Sequence, residues 1–204
     1  KVFDSSGKYL RSFGSHGYGC NQWRYARQFD IHNDEIFVAD TYNHQIIRMS
    51  LTGRCIARSG TIYKYPHAIA AQRTFVYLGF ASWGGHGRYI RAVHRGNLNS
   101  GYDIDTGSSG LRYPWGMSLN SGGSRLIVAD YVRNQVYDYQ VSNYANTREI
   151  PRLSLLRRSN SSYSSSNGYF RRPTDTAVDS SNNIYVLDLY GHRLQKFNSS
   201  LVYQ

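Results

Sequence analysis

The 204-residue sequence has few lysines, fewer glutamates and no long hydrophobic segment. Lysine occurs only at four positions, so arginine supplies most of the formal net charge of +11. Glutamate occurs only at Glu35 and Glu149, far apart in the chain, which leaves no glutamate pair for acid–base catalysis. No run of about 18 apolar residues is present, so the sequence predicts no membrane-spanning helix. No segment of useful length shows the 3.6-residue periodicity of an amphipathic helix, which argues against a helical fold.

Catalytic signatures are also missing. The sequence contains no Gly-x-Ser-x-Gly segment, no phosphate-binding P-loop, no His-Glu-x-x-His motif and no cysteine–histidine pairing. Carboxylate chemistry would depend on aspartates that already have structural roles. These absences predict a protein that is not an enzyme and that has no cofactor and no metal.

The sequence does contain a repeated unit, which is complete in residues 173–204. Four short alternating or apolar runs are separated there by turns of Gly, Asn and Ser, a pattern that predicts a four-stranded antiparallel meander. Such a sheet cannot bury its faces alone, so the unit should recur. Units begin at Ala26, Pro66, Pro114 and Pro173, which are 40, 48 and 59 residues apart.

The repeat predicts an all-β fold, a β-propeller of four-stranded blades that forms one domain over residues 1–204. The spacing is close to the roughly 40–45 residues that a propeller blade needs, and radial repetition hides the edges of small sheets. The predicted parts are a half blade at 1–14 and full blades at 24–60, 65–106, 112–158 and 172–204. The opening in mid-blade and the lack of an initial Met indicate that the natural N-terminus is missing.

Three segments resemble a known family. Residues 38–46 (Val-Ala-Asp-Thr-Tyr-Asn-His-Gln-Ile) and 186–194 (Val-Leu-Asp-Leu-Tyr-Gly-His-Arg-Leu) resemble the core of NHL repeats. The Phe-Asp-x-x-Gly-Lys-x-Leu-x-x-Phe-Gly run at residues 3–14 is similar to the same repeats. The resemblance implies a β-propeller, often of six blades, of which four full units and a half are visible. It therefore implies either a fragment of a larger ring or an unusual ring closure. Because an unpaired blade edge is a template for another chain, an open ring could pair with copies of itself.

Several aspartates and histidines are candidate metal ligands. Asp40, Asp130 and Asp188 end the second strand of their units, and an aspartate there accepts hydrogen bonds from the backbone of the following turn, which predicts a framework role. The family that the chain resembles includes a class of lyases that cleave peptidyl-hydroxyglycine. These lyases bind zinc through histidines that follow the proline at several blade starts. Only His67 fits that pattern, whereas catalytic zinc needs three protein ligands. A degenerate metallo-lyase is the weakest alternative.

Binding is the stronger prediction. In a propeller, the loops before first strands and the loops between second and third strands emerge on one side, here called the loop face. The candidate binding residues on the loop face are Arg24, Tyr42, His44, Trp83, His86, Arg88, Arg112, Arg133, Arg171, Arg172, Tyr190 and His192. Arginine forks beside aromatic rings suit phosphates, carboxylates and flat ring faces. The alternative is a solvated basic surface that serves only solubility.

Cysteines and glycosylation patterns bear on the compartment. Cys20 and Cys55 form one disulfide if the chain is secreted, or two buried thiols otherwise. Asn160 and Asn198 each begin an Asn-Ser-Ser acceptor pattern in a predicted loop. With the Ser-rich connector at residues 159–166 and the few lysines, these acceptor patterns favour an extracellular protein over a cytoplasmic one.

The functional prediction is a non-enzymatic binding or assembly scaffold. Its partner would be a protein, another copy of the chain, or a polyanion such as an acidic glycan or RNA. An RNA-binding propeller is the first alternative, because the resemblance extends to the NHL domains of tripartite-motif proteins, which bind RNA on such a face.

Overall fold

The computed structural model describes residues 1–80, 89–106, 110–142 and 149–204. In this part of the chain nearly all regular structure is β, with single 3-10 turns at Thr41–Asn43 and Leu189–Gly191. Small antiparallel sheets follow one another along the chain in a four-bladed propeller arrangement, which confirms the predicted fold. Among the described residues no helix is long and apolar enough to cross a membrane.

The first complete blade shows why these segments form strands. Its strands are β5 (Phe29–His32), β6 (Glu35–Asp40), β7 (Gln45–Ser50) and β8 (Cys55–Arg58), paired in that order. Strand β6 reads as a continuous apolar run because both of its faces are covered. Ile36 and Val38 pack on one side, whereas Phe37 and Ala39 pack on the other, against the second blade.

The remaining blades repeat this order. The second blade contains β9 (Pro66–Ala71), β10 (Phe75–Phe80), β11 (Tyr89–His94) and β12 (Asn97–Asp105). The third contains β13 (Pro114–Leu119), β14 (Arg125–Asp130), β15 (Gln135–Ser142) and β16 (Arg152–Arg158). The fourth contains β17 (Pro173–Val178), β18 (Ile184–Asp188) and β19 (Arg193–Phe197). The second blade is complete, although its sequence departs from the repeat after β10.

The predicted fourth strand of the last blade is wrong. Residues 201–204 do not form a strand, and only an isolated bridge joins Phe197 to Tyr203. Leu201 has a left-handed backbone (φ 60°), which interrupts extended pairing at the start of this segment. Val202 and Tyr203 are exposed, so no burial compensates for the ordering of a longer strand.

The inner strands surround an axis that a glutamine side chain crosses. Strands β5, β9, β13 and β17 lie side by side in that order. Gln28 donates from Nε2 to the Met117 carbonyl (3.0 Å) and to the Asp175 Oδ1 (2.8 Å), and its Oε1 accepts from the Ile69 amide (2.8 Å). One side chain of the first blade therefore reaches the inner strands of the other three.

A half blade precedes the first complete blade. It consists of β1 (Val2–Phe3) and β2 (Tyr9–Arg11), and β3 (Ser15–His16) and β4 (Gln22–Trp23) form a short parallel pair after it. Phe13 packs over Gly53, where a Cβ atom would collide with the Phe13 ring. Cys20 and Cys55 form a disulfide that attaches this segment to β8. The half blade thus covers the outer part of the first blade and leaves its inner strand exposed.

Candidate functional site

The loop face is built on three buried aspartates. The Asp40 carboxylate accepts from the Arg24 backbone amide (2.7 Å), and Asp130 and Asp188 accept from the amides of Arg112 and Arg171 (both 2.6 Å). All three aspartates are fully buried. Their framework role is confirmed, because each fixes the loop that enters the first strand of its blade. A hydrogen bond from a backbone amide to a carboxylate is stronger than the same bond to a neutral acceptor.

The donors differ in part from those predicted. Only Asp130 accepts from the backbone of the following turn, through Val132 (3.1 Å) and Arg133 (3.0 Å). Asp40 instead accepts from the side chains of Asn43 (2.7 Å) and Gln45 (2.8 Å). The turn after β6 is therefore held through side chains, which the backbone pattern alone does not specify.

The loop-face arginines that the structure describes form no salt bridge with the described carboxylates. The salt bridges among the described residues involve a different set of arginines, namely Arg48, Arg91, Arg95, Arg125, Arg157 and Arg193. Arg24 lies over the Tyr18 ring (5.1 Å), and Arg171 lies over the Tyr163 ring (4.9 Å). Arg133 donates from Nε to the Gly110 carbonyl (3.2 Å). These contacts orient the guanidinium groups without neutralising them.

Aromatic rings join the first two blades on the loop face. Tyr42 lies between Tyr25 (ring centroids 4.9 Å apart) and Tyr65 (5.9 Å). His44 packs against Tyr65 (4.4 Å) and accepts at Nδ1 from the Tyr65 amide (3.2 Å). Tyr25 is 68% exposed, so most of its ring contacts solvent rather than the core. This group therefore presents aromatic surface that is not buried in the core.

A second aromatic group surrounds the mouth of the central axis. Trp115 stacks on Tyr131 (4.5 Å) and contacts His67 (4.6 Å). Arg27 reaches from the first blade over the Trp115 ring (5.7 Å), and Arg172 of the fourth blade lies over Tyr131 (5.0 Å). Residues of all four blades therefore meet at the mouth. The ring faces and cations lie together there, as a planar or anionic ligand requires.

Burial controls the titration of groups in this region. Desolvation lowers the pKa of His67 to about 4, and the nearby Arg27 charge acts in the same direction, so the imidazole is neutral at pH 7. Desolvation likewise raises the pKa of Tyr131, and a hydrogen bond with Tyr190 raises this pKa further. Deeper along the axis, desolvation raises the pKa of the Asp175 carboxyl.

His67 lies among aromatic rings and a guanidinium instead of other metal-binding groups. Its Nδ1 atom is buried and has no hydrogen-bond partner. Within the described ranges no group of three His, Cys, Asp or Glu side chains is placed to hold a metal ion. A zinc centre of the lyase type would need two further ligands that the other blade starts do not supply.

The structure gathers part of the predicted binding set. Arg172 and Tyr190 meet Tyr131 at the mouth, and Tyr42 and His44 meet at the first aromatic group. His192 is exposed and ends the last 3-10 turn in a left-handed conformation. Trp83, His86 and Arg88 lie outside the described residues. The residues that the sequence interpretation missed are Tyr25, Arg27, Tyr65, Tyr113, Trp115 and Tyr131.

The two glycosylation acceptors lie in different surroundings. Asn160 is exposed in the connector before the last blade. Asn198 is half-buried, and its Oδ1 accepts from the amides of Ser200 (2.9 Å) and Val202 (3.0 Å). Asn160 is therefore the more accessible of the two.

Comparisons with known proteins agree with the fold. Residues 170–197 match the NHL repeat, which confirms the family resemblance for the last blade. No curated protein matches the sequence significantly. Two similar solved structures are a streptogramin B lyase and the virginiamycin B lyase of Staphylococcus aureus, which are 12% and 9% identical, each with a TM-score of 0.61.

Both structural matches cover 86% of this chain but only 52% and 53% of the lyases. The chain therefore spans about half the length of these proteins. At such low identity the likeness shows the propeller fold and carries no inference about activity.

Proposed function

We propose that this propeller is a non-enzymatic binding scaffold whose loop face holds an acidic macromolecular partner. One observation carries the proposal: five loop-face arginines form no salt bridge with the described carboxylates, namely Arg24, Arg112, Arg133, Arg171 and Arg172. Three of them, Arg24, Arg171 and Arg172, lie over tyrosine rings. Their charge is available to an incoming anion. The formal charge of +11 would also accelerate the encounter with such a partner.

Several features support an extracellular location for this function. The Cys20–Cys55 disulfide persists in an oxidising compartment and is rare in the cytosol. The accessible Asn160 acceptor suits a glycoprotein. An intact mass of the natural protein would report both modifications, and a mass equal to the reduced, unmodified chain would contradict the extracellular assignment.

Two variants test the proposal. Each loses three arginines, one on the loop face and the other on the opposite side of the propeller. The face variant carries Arg112→Gln, Arg133→Gln and Arg172→Gln. The rear variant carries Arg54→Gln, Arg73→Gln and Arg152→Gln, three exposed arginines in or beside turns on the opposite side. Affinity for a labelled polyanion is measured by fluorescence anisotropy. We expect roughly 100-fold weaker binding by the face variant and less than about 3-fold by the rear variant.

Self-association is a second candidate function, carried by apolar surface at both ends of the blade series. A cavity of about 510 Å³ beside the half blade is lined by Phe29 and Ile31, which are 62% and 51% exposed. Leu187 and Leu194 pair across strands on the free face of the last blade and are 46% and 64% exposed. One copy could seat its last-blade face in the cavity of another, a head-to-tail contact.

Light scattering over a concentration series tests this contact. The wild type should form dimers or larger species at about 10 μM, whereas a variant with Phe29→Ser and Ile31→Ser should stay monomeric, since apolar burial drives the contact. Ile62→Ser removes an equally exposed apolar side chain elsewhere and serves as the control. A monomeric wild type at every concentration would contradict self-association.

A further inference from the structure

A basic residue recurs two positions before the aligned starts of all four blades, which are Ala26, Pro66, Pro114 and Pro173. Aligned on the blade starts, the dipeptides are Arg24-Tyr25, Lys64-Tyr65, Arg112-Tyr113 and Arg171-Arg172. Equivalent positions in a repeat protein occupy equivalent places in space. Four cations and four large side chains, three of them tyrosines, therefore encircle the axis on the loop face. We call them the cation–tyrosine ring.

The fold fixes the basic members of the ring at their backbone. The buried carboxylates of Asp40, Asp130 and Asp188 hold the amides of Arg24, Arg112 and Arg171, as described above. In the second blade Phe80 replaces the aspartate, and Lys64 occupies the basic position. The cation is thus present in every blade, including the one without the clamp. The clamp alone does not require a cation, because it uses only the backbone N–H.

The second members of the ring have an unfavourable backbone conformation. Tyr25, Tyr65 and Arg172 have φ angles of 50°, 49° and 65°, in the left-handed region where glycine or asparagine is usual. Bulky residues in this region cost free energy and are concentrated at functional sites. The recurrence of a large side chain at three such positions indicates that the side chain itself is needed.

The exposure of the tyrosine side chains indicates why large side chains are needed at these positions. Tyr25 and Tyr65 are 68% and 43% exposed, so neither is explained by burial in the core. Tyr113 belongs to the aromatic group at the mouth, where it lies 5.5 Å from Trp115 and 6.1 Å from Tyr131. The cation–tyrosine ring therefore offers flat aromatic faces with hydroxyl groups at their edges, and each of its tyrosines follows a basic residue in the sequence.

We propose that the cation–tyrosine ring binds an acidic polysaccharide, one that carries sulfate or carboxylate groups at regular intervals. The four cations would contact successive anionic groups, and the tyrosines would stack on sugar rings and hydrogen-bond to sugar hydroxyls. This inference rests on the proposed function of the loop face and adds to it the ligand class and the residues. The repeated spacing of the ring suits a polymer with a repeated charge.

The compartment favours a polysaccharide over nucleic acid. The described structure contains a disulfide, which indicates an oxidising environment. The abundant polyanions that meet a protein there are sulfated and carboxylated glycans. Tyrosine also suits sugars, since its ring packs on C–H groups while its hydroxyl reaches a polar partner.

The test uses three labelled probes with the full chain: a heparin-derived octasaccharide, its fully desulfated, N-acetylated form, and an oligouridylate of matched charge. The charge variant carries Arg24→Gln, Lys64→Gln, Arg112→Gln and Arg171→Gln. The stacking variant carries Tyr25→Ser and Tyr65→Ser, which remove exposed rings. A control variant carries Tyr9→Ser and Tyr203→Ser, which are exposed tyrosines away from the loop face. Thermal unfolding checks that each variant folds.

We expect the charge variant to bind the octasaccharide about 100-fold more weakly and to lower the slope of log affinity against log salt by about 3 to 4. The stacking variant should bind about 10-fold more weakly with an unchanged slope. The control should match the wild type. Desulfation should weaken binding strongly, because the desulfated octasaccharide keeps only its carboxylates.

Two results would overturn the inference in different ways. If the oligouridylate binds as tightly as the octasaccharide and depends on the same tyrosines, the ligand class is wrong, while the proposed loop-face function stands. If the octasaccharide binds the charge and stacking variants as tightly as the wild type, the ring is not its site. A failure of the proposed function itself would show separately, as equal weakening in the face and rear variants described above.

Discussion

At the scale of single residues, charge is sorted by depth on the loop face. The carboxylates of Asp40, Asp130 and Asp188 are fully buried and satisfied by hydrogen bonds. The arginines whose amides they hold are only half-buried or exposed and form no salt bridge with the described carboxylates. Burying a carboxylate is tolerable only because it accepts several hydrogen bonds. The outer surface of the loop face is therefore basic even though aspartates lie beneath it.

His67 is also buried, but its Nδ1 atom has no hydrogen-bond partner, so burial destabilises its charged form. It is 6% exposed and its pKa is about 4, with Arg27 and Tyr113 as the ionisable neighbours that face it. In the unfolded chain its pKa is close to 6.5. Between pH 6.5 and about 4 the unfolded state binds more protons than the folded state, so stability falls as the pH falls through this range.

A His67→Phe variant should remove this pH dependence while keeping a ring against Trp115. We expect the free energy of unfolding of the wild type to drop by about 2 kcal/mol more than that of the variant between pH 7 and pH 5. Urea denaturation at both pH values measures the difference. Equal losses in the two proteins would show that His67 titrates normally in the folded state.

At the scale of elements, the repeat could be predicted closely from the sequence. The second strands end at Asp40, Asp130 and Asp188, as predicted. Those of the first and third blades are buried on both faces and read as continuous apolar runs, which makes their ends recognisable. The outermost strand of the last blade could not be predicted so well. Its residues Leu201, Val202 and Tyr203 form an apolar run, but Val202 and Tyr203 are left exposed.

The disulfide is the element-scale feature with the clearest energetic consequence. Cys20 and Cys55 are separated by 35 residues, so their bond removes much of the freedom of the unfolded first blade. Cys20→Ala with Cys55→Ala should lower the free energy of unfolding by about 3 kcal/mol. Denaturation of the wild type with a reducing agent should give a similar loss. A loss below about 1 kcal/mol in both experiments would contradict this role.

At the scale of the whole molecule, the site depends on the radial arrangement of blades. Arg27 of the first blade reaches Trp115 of the third, a contact between residues 88 positions apart. Such contacts could not be predicted from spacing within one unit, which is why the aromatic group at the mouth was missed. The signal available in the sequence was the aligned basic dipeptide that precedes each blade.

The account therefore depends on one claim, that the loop face and not the overall positive charge selects the partner. The most direct test is the affinity of the face and rear variants for a polyanion at two salt concentrations, since both variants lose three arginines. The account predicts that the face variant alone loses about 100-fold in affinity and about three units of salt slope. Equal affinity and equal slope in the two variants would contradict it.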